Sequence, residues 1–248
     1  MIPSPPFSTP VGSFFYLNAF FTIMQKTAFA VIPCYNEGDI LRRTIEELLA
    51  LDVCGVIVVD DGSASPIYPL IRDLPVHCLR HCINLGQGAA LQTGMDYAKK
   101  LGAEAVVHFD ADGQHRPQDV PRFLEALQDC DIVIGSRFLR DEDKKAVPFG
   151  KRMLLRAARF VNYVFTGLWL SDAHNGYRAL GRKALDCIEL TENRMAHATE
   201  IMAQIKKNKL RVKELPVSID YTAYSKAKGQ RWYNSLNILL DLIISKIF

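Results

Sequence analysis

Four apolar runs in this chain each end in a cluster of polar residues, and helical patterns separate them. Ala28–Pro33 runs into "CYNEGD", and Gly55–Val59 runs into "DDGS". Ala105–Phe109 leads into "DADGQH", and Asp131–Gly135 leads into Ser136 and Arg137. Runs of four to eight residues that are apolar throughout, alternating with helices, predict strands of a parallel sheet covered on both faces. A further short strand is predicted at Val76–Arg80. The first helix is marked by Ile40, Leu41, Thr44, Ile45, Leu48 and Leu49 on one side. Others are expected from Asn84–Gly88 to about Lys100, and from Pro117 to Leu127. In open sheets of this kind, ligands bind outside the carboxyl ends of the strands. Asn36/Glu37, Asp60/Asp61, Asp110/Asp112/Gln114 and Ser136/Arg137 all fall at such ends. That shared placement argues for a binding edge more strongly than any one cluster does.

The pattern changes after Arg137. "LRDEDKKAVPFGKR" (139–152) is charged and carries chain breakers, as a loop does. An amphipathic basic helix is expected over 151–170, then a turn and short strand over 171–185. A helix carrying Glu200–Lys207, a strand over Leu210–Tyr221, a basic loop "YSKAKGQR" and a last helix over 232–248 complete the outline.

Bulk composition narrows the class. With 49% hydrophobic and 23% charged residues over 248 positions, the chain is an ordinary folded protein rather than a disordered or coiled-coil one. Six cysteines without CxxC spacing suit free thiols in a reducing compartment. Charge is divided: residues 1–136 carry 9 Lys/Arg against 16 Asp/Glu, a net −7, whereas 137–248 carry 21 against 11, a net +10. An acidic front half suits a metal site, and a basic back half suits an anionic partner, phosphate or a lipid surface. Residues 1–23 hold no Lys or Arg, so they lack the charged start of a signal peptide, and a disordered extension is expected over 1–24.

The stretch "HFDADGQHRP" (108–117) carries the most chemistry. Carboxylates one residue apart on a strand diverge, but on the turn beyond it Asp110 and Asp112 can reach one hard cation, with Gln114 adding a neutral oxygen. Such an ion would neutralise a departing diphosphate. A solvated Asp-Gly turn is the competing account of the same residues. "NLGQGAALQTG" (84–94) begins a helix without a Walker GK[ST] or an early GxGxxG, so neither a P-loop nor a dinucleotide fingerprint is present.

Together, "VIPCYNEGD", "VVDDGS", "NLGQGAAL", "FDADGQHRP", "GSR" and "DAHNGYRAL" resemble the family 2 glycosyltransferases of the GT-A fold, from about Ala28 to the chain's end. "NGYRAL", "ELPVSIDY" and "YSKAKG" are most similar to the polyprenyl-phosphate sugar transferases, the dolichyl-phosphate mannose synthase group among them. The resemblance implies an α/β nucleotide-diphospho-sugar transferase fold with a mainly parallel sheet. Its catalytic domain would span 25–230, with a nucleotide-sugar half at 25–137, an acceptor half at 138–230, and an apolar helix at 231–248. It implies a nucleotide-sugar pocket lined by Pro33, Tyr35, Glu37, Asp61, Gly88, Asp110 and Arg178. Asp110, Asp112 and Gln114 would hold Mg²⁺ or Mn²⁺. Arg137, Arg152 and Lys226 would meet an acceptor phosphate, with Arg178 and Lys226 closing from the later segments. Catalysis would fall to Asp110, Asp112 and Arg137. His115 is expected to shape the metal loop rather than to ligate.

The implied reaction is one inverting displacement at the anomeric carbon of a GDP- or UDP-sugar. A lipid phosphate acceptor is already an anion and needs positive charge rather than a strong base. A saccharide hydroxyl would need a base, and Glu200 is the candidate; a structural hydrogen bond is the alternative role for it. A catalytically silent nucleotide-sugar scaffold is the third reading. The last helix shows a narrow polar stripe of Asn234, Asn237, Asp241 and Ser245 on an apolar body. At about 17 residues it is short of the roughly 20 that a span needs. A peripheral enzyme on the cytoplasmic face of a membrane is therefore expected, with a small membrane partner protein and no nucleic acid.

Overall fold

A computed structural model describes residues 27–51, 54–139, 163, 167–172, 175–194 and 196–218. The expected N-terminal extension, residues 151–162 of the basic helix expected over 151–170, Arg152, Lys226, the basic loop and the last helix lie outside the described residues. So does the domain boundary expected near residue 230.

One seven-stranded sheet organises the chain, in the order β3-β2-β1-β4-β6-β5-β7. The strands are β1 (Ala28–Cys34), β2 (Gly55–Asp60), β3 (His77–Arg80), β4 (Ala105–His108), β5 (Ile132–Ser136), β6 (Arg178–Gly181) and β7 (Val212–Pro216). All are mutually parallel except β6, which lies antiparallel between β4 and β5. Six strands therefore end at one edge, and β6 begins there: Arg178 stands level with His108 on one side and Ile134 on the other.

The sheet is apolar on both faces, as the uninterrupted runs required. Ala30, Ile32, Val56, Val58, Val107 and Val133 face one layer, and Val31, Ile57, Val59, Val106, Ile132 and Ile134 face the other. Helix α1 (Asp39–Ala50) covers the first face with Leu41, Thr44, Ile45 and Leu48, the i, i+3, i+4, i+7 stripe of a helix with one buried side. A single 3-10 turn (Pro117–Asp119) leading into α4 (Val120–Ala126) completes that layer, after a short α2 (Tyr68–Ile71). On the other face lie α3 (Gln87–Lys100), α5 (Arg182–Cys187) and α6 (His197–Lys207).

Four expectations shift. Of the basic helix expected over 151–170, residues 167–170 are described and are not helical. The helix expected over Pro117–Leu127 starts as a 3-10 turn, since Pro121 has no amide for the Pro117 carbonyl, which the Val120 amide takes instead. The turn and strand expected over 171–185 contain α5 as well. The strand expected over Leu210–Tyr221 is Val212–Pro216, which ends where proline has no amide for the ladder.

Candidate active site

The edge where six strands end carries most of the residues expected to act. Beyond β4 the chain turns at Gly113, whose φ of +71° is left-handed backbone that suits glycine. Asp112 Oδ1 closes the turn by accepting the Gln114 amide at 3.0 Å. Asp110 Oδ1 accepts from Gln87 Nε2 at 3.1 Å, which ties the turn to the start of α3. The Asp110 amide donates to His115 Nδ1 at 3.1 Å, so the ring's proton is on Nε2, 3.4 Å from Asp110 Oδ2. His115 is buried and stacked on Tyr177 at 4.7 Å, and Phe123 stacks on the other tyrosine face. His115 is thus a prop for Asp110.

The turn fits a hard divalent cation. Burial, then the neighbouring charge of Asp110, raises the Asp112 carboxyl above the ordinary carboxylate range. Two crowded carboxylates are what a cation relieves. Among the described residues no group of three or more His, Cys, Asp or Glu is poised to hold a metal. The protein's contribution would be Asp110, Asp112 and the carboxamide of Gln114, leaving room in the shell for water and substrate phosphate, as Mg²⁺ prefers.

Behind Asp110 is a buried group of one cation, Arg178, and two histidines. Arg178 is 1% exposed, in the sheet itself, on the same face as His108 and His197. Arg178 therefore does not close over the site from a later segment, as expected; it is fixed beneath it. Burial draws its guanidinium down to about 10, opposed by the charges of Asp110 and Asp172, so it stays cationic at neutral pH. His197 is pushed down to about 4, by burial first and then by Arg178. His108 is lowered well below the ordinary value for the same two reasons. A histidine held neutral in this way stabilises the fold fully above the unfolded value near 6.5, and that stability is lost as pH falls toward the folded value. For His197 the whole effect is on the order of 3 kcal/mol. Melting temperature should accordingly decline from about pH 6.5 downward. His197→Asn, which keeps a donor for the Arg194 carbonyl that Nδ1 now meets at 2.6 Å, should flatten that decline. Equal slopes in both proteins, by thermal unfolding across pH, would remove His197 as its source.

The glycine-rich segment does a different job from the ligand contact expected of Gly88. The Gly88 and Ala89 amides donate to the Asn193 carbonyl, at 2.8 and 3.3 Å. A Cβ on Gly88 would stand 2.0 Å from the Glu192 carbonyl, so the glycine permits a close backbone crossing. Asp61 closes the other side of this helix start. Its Oδ1 accepts from His81 Nδ1 and the Leu85 amide, and its Oδ2 from the Gly86 amide, at 2.7 to 2.9 Å. A base-edge contact by Asp61 is left with the remaining acceptor direction of Oδ2. Pro33 and Glu37 are half-buried and Tyr35 is 45% exposed, at and just beyond the end of β1 on the same edge.

Arg137 follows β5, with its side chain 36% exposed. Its Nε and Nη2 make a fork on the Asp172 carboxylate at 2.7 and 2.8 Å, and its amide adds a third bond. Asp172 was not named as a candidate from sequence, although it opens the "DAHNGYRAL" stretch; its other local signal was the turn-forming Asp172/Asn175/Gly176 set. Gln87 was also missed. Glu200 lies away from these groups in its bonding: its two oxygens accept from the Thr191 amide and hydroxyl and the Glu192 amide. It therefore holds the segment before α6.

Taken as a whole, the sheet and its flanking helices have the GT-A glycosyltransferase fold. A glucosyl-3-phosphoglycerate synthase from Mycobacterium tuberculosis, solved with Mn²⁺ and UDP-glucose, shares the fold at a TM-score of 0.63 and 18% identity, over 97% of this chain and 82% of its own. The "Glycosyl transferase family 2" model matches residues 29–189, and the chain belongs to that family. Among similar proteins, a UDP-N-acetylglucosamine–dolichyl-phosphate N-acetylglucosaminyltransferase of Methanococcus voltae is 29% identical, over 90% of this chain and 97% of that protein. An undecaprenyl-phosphate mannosyltransferase of Micrococcus luteus is 34% identical, over 64% of this chain and 68% of its own.

Proposed function

We propose that this glycosyltransferase moves a sugar from a GDP- or UDP-sugar to a polyprenyl phosphate in a single inverting displacement. The observation that carries the acceptor assignment is the bonding of Glu200. A saccharide hydroxyl needs a base, and the side chain expected to serve has both oxygens engaged by Thr191 and Glu192. A phosphate acceptor needs none. The names borne by the two lipid-phosphate relatives support the same choice.

Asp110 and Asp112 would hold Mg²⁺ or Mn²⁺ with Gln114, beside the donor's diphosphate. When bound, the ion supplies positive charge that offsets the charge developing on the leaving nucleoside diphosphate. Gln87 and His115 fix Asp110, and Arg178 adds a buried positive charge behind it. Arg137, its guanidinium plane set by Asp172, would align the acceptor phosphate with the anomeric carbon. Arg152 and Lys226 would add cationic contacts, and the nucleotide would meet Pro33, Tyr35, Glu37 and Asp61. No helix among the described residues is long and apolar enough to cross a membrane. A polyprenyl acceptor would bring the enzyme to the membrane surface, at the cytoplasmic face where nucleotide sugars are found, with a small membrane partner protein.

The test is purified protein with Mn²⁺ or Mg²⁺, a panel of nucleotide sugars and a short polyprenyl phosphate. Formation of sugar-linked lipid is expected with one donor. Nucleoside diphosphate release only with saccharide acceptors, or from no donor at all, would overturn the proposal. Glu200→Gln sharpens it. The variant should melt earlier, since one acceptor becomes a donor facing donors, yet retain turnover within a few-fold. A general base would instead cost about 10²- to 10⁴-fold in kcat.

A further inference from the structure

The Arg137–Asp172 fork does not stand alone. Glu214, on β7, places one carboxylate oxygen, Oε1, within 2.8 Å of the Ser171 amide, 2.7 Å of the Ser171 hydroxyl and 3.2 Å of the Asp172 amide. A lone oxygen accepting three donors from a segment over forty residues distant organises that segment. The hydroxyl directions then follow. Ser171 gives its proton to Glu214, so its oxygen is left to accept from the Ser136 hydroxyl at 2.5 Å. Ser136 Oγ in turn accepts the Phe138 amide at 3.1 Å. Both branches end at the same carboxylate: the hydroxyl chain fixes the residues on either side of Arg137, and the 171–172 segment presents the carboxylate that Arg137 grips. Glu214 touches neither Arg137 nor the metal turn in any of these bonds.

We infer that Glu214 is a positioning residue for the acceptor phosphate, acting through Ser171 and Asp172 on the guanidinium of Arg137. The inference rests on the proposed role of Arg137. A carboxylate is suited to the task because it is acceptor-only: all three of its partners are donors, and it imposes one direction on both hydroxyls.

The experiment compares acceptor KM, donor KM and melting temperature in Glu214→Ala, Glu214→Gln, Ser171→Ala, Arg137→Ala and the double variant Arg137→Ala/Glu214→Ala, with a short polyprenyl phosphate as acceptor. Misplacing a positioning group should raise acceptor KM on the order of 10-fold in Glu214→Ala. Donor KM should stay within about twofold, and Glu214→Gln, which keeps an acceptor oxygen, should recover most of the loss. Ser171→Ala, a change of one atom, reports the same effect in a smaller measure if Glu214→Ala folds poorly. In the Arg137→Ala background, removing Glu214 should change acceptor KM by less than about twofold, because the two act as a unit. An effect of Glu214→Ala that is undiminished in that background overturns the relay while leaving Arg137 in its role. So does a lowered melting temperature with wild-type acceptor KM. An unchanged acceptor KM in Arg137→Ala overturns the role of Arg137 itself, and the relay with it.

Discussion

Asp112→Asn should abolish metal-dependent turnover without weakening the fold. The amide keeps an oxygen for the Gln114 N–H, so the turn that Asp112 closes at 3.0 Å persists. It removes one of two crowded negative charges, the one whose carboxyl is raised by burial and by Asp110. Melting temperature in the absence of metal should therefore hold or rise slightly. Stabilisation by Mn²⁺ with a nucleoside diphosphate should vanish, since binding to the native state is what shifts unfolding. A lost charge contact to the leaving group is worth several kcal/mol, so activity should fall on the order of 10³-fold. Thermal shift and turnover on the same preparation check both halves. Retention of metal-dependent turnover within tenfold would remove Asp112 from the centre, and a collapse in stability would recast it as a structural turn residue.

How far such residues could be seen in advance depends on the range of the interactions that define them. The four strand ends were legible because burial on both faces leaves an uninterrupted apolar run, and a polar cluster after it stands out within ten residues. Asp110 and Asp112 were visible for that reason. The strand of β6 was expected within 171–185, but its antiparallel placement was not legible, because insertion between β4 and β5 pairs Arg178 with His108, 70 positions away, and no local pattern reports it. The same fact misplaced Arg178: a basic residue in a later segment was expected to arrive from above, whereas the topology buries it in the sheet. Glu200 was placed correctly on its helix, but its partners at Thr191 and Glu192 meet it only because the chain doubles back before α6. Gly88 belongs to this class too. Its need for a missing side chain comes from the carbonyl of Glu192, a contact across more than a hundred residues.

Asp172 gives the second large effect, and it follows from the same long-range geometry. Asp172→Asn should cost acceptor use far more than donor binding. Burial tends to raise this carboxyl, but the hydrogen bonds and charge of Arg137 prevail and hold it below the ordinary range. A depressed folded value means that the pair's stabilisation is present above the unfolded carboxylate value near 4 and is lost only as pH falls through the folded one. The fork is therefore intact throughout the neutral range. In the variant an amide N–H₂ replaces one acceptor, and it must face Nε or Nη2 of Arg137, donor against donor. Breaking a buried pair costs about 3–5 kcal/mol, and the lower end applies here because Arg137 is a third exposed and can turn to water. That turn is the functional loss: the guanidinium no longer lies in the plane that meets the acceptor's phosphate. A misplacement of this kind should lower kcat/KM for polyprenyl phosphate by about 10²-fold. Binding of the nucleoside diphosphate with metal should change by less than about threefold, since the Asp172 carboxylate bonds to Arg137 and Asn175 and not to Asp110 or Asp112. Calorimetric titration of nucleoside diphosphate beside acceptor kinetics separates the two. If donor and acceptor were to weaken together, Asp172 would be holding the whole strand edge in place, and Arg137 would lose its claim to be the group it positions.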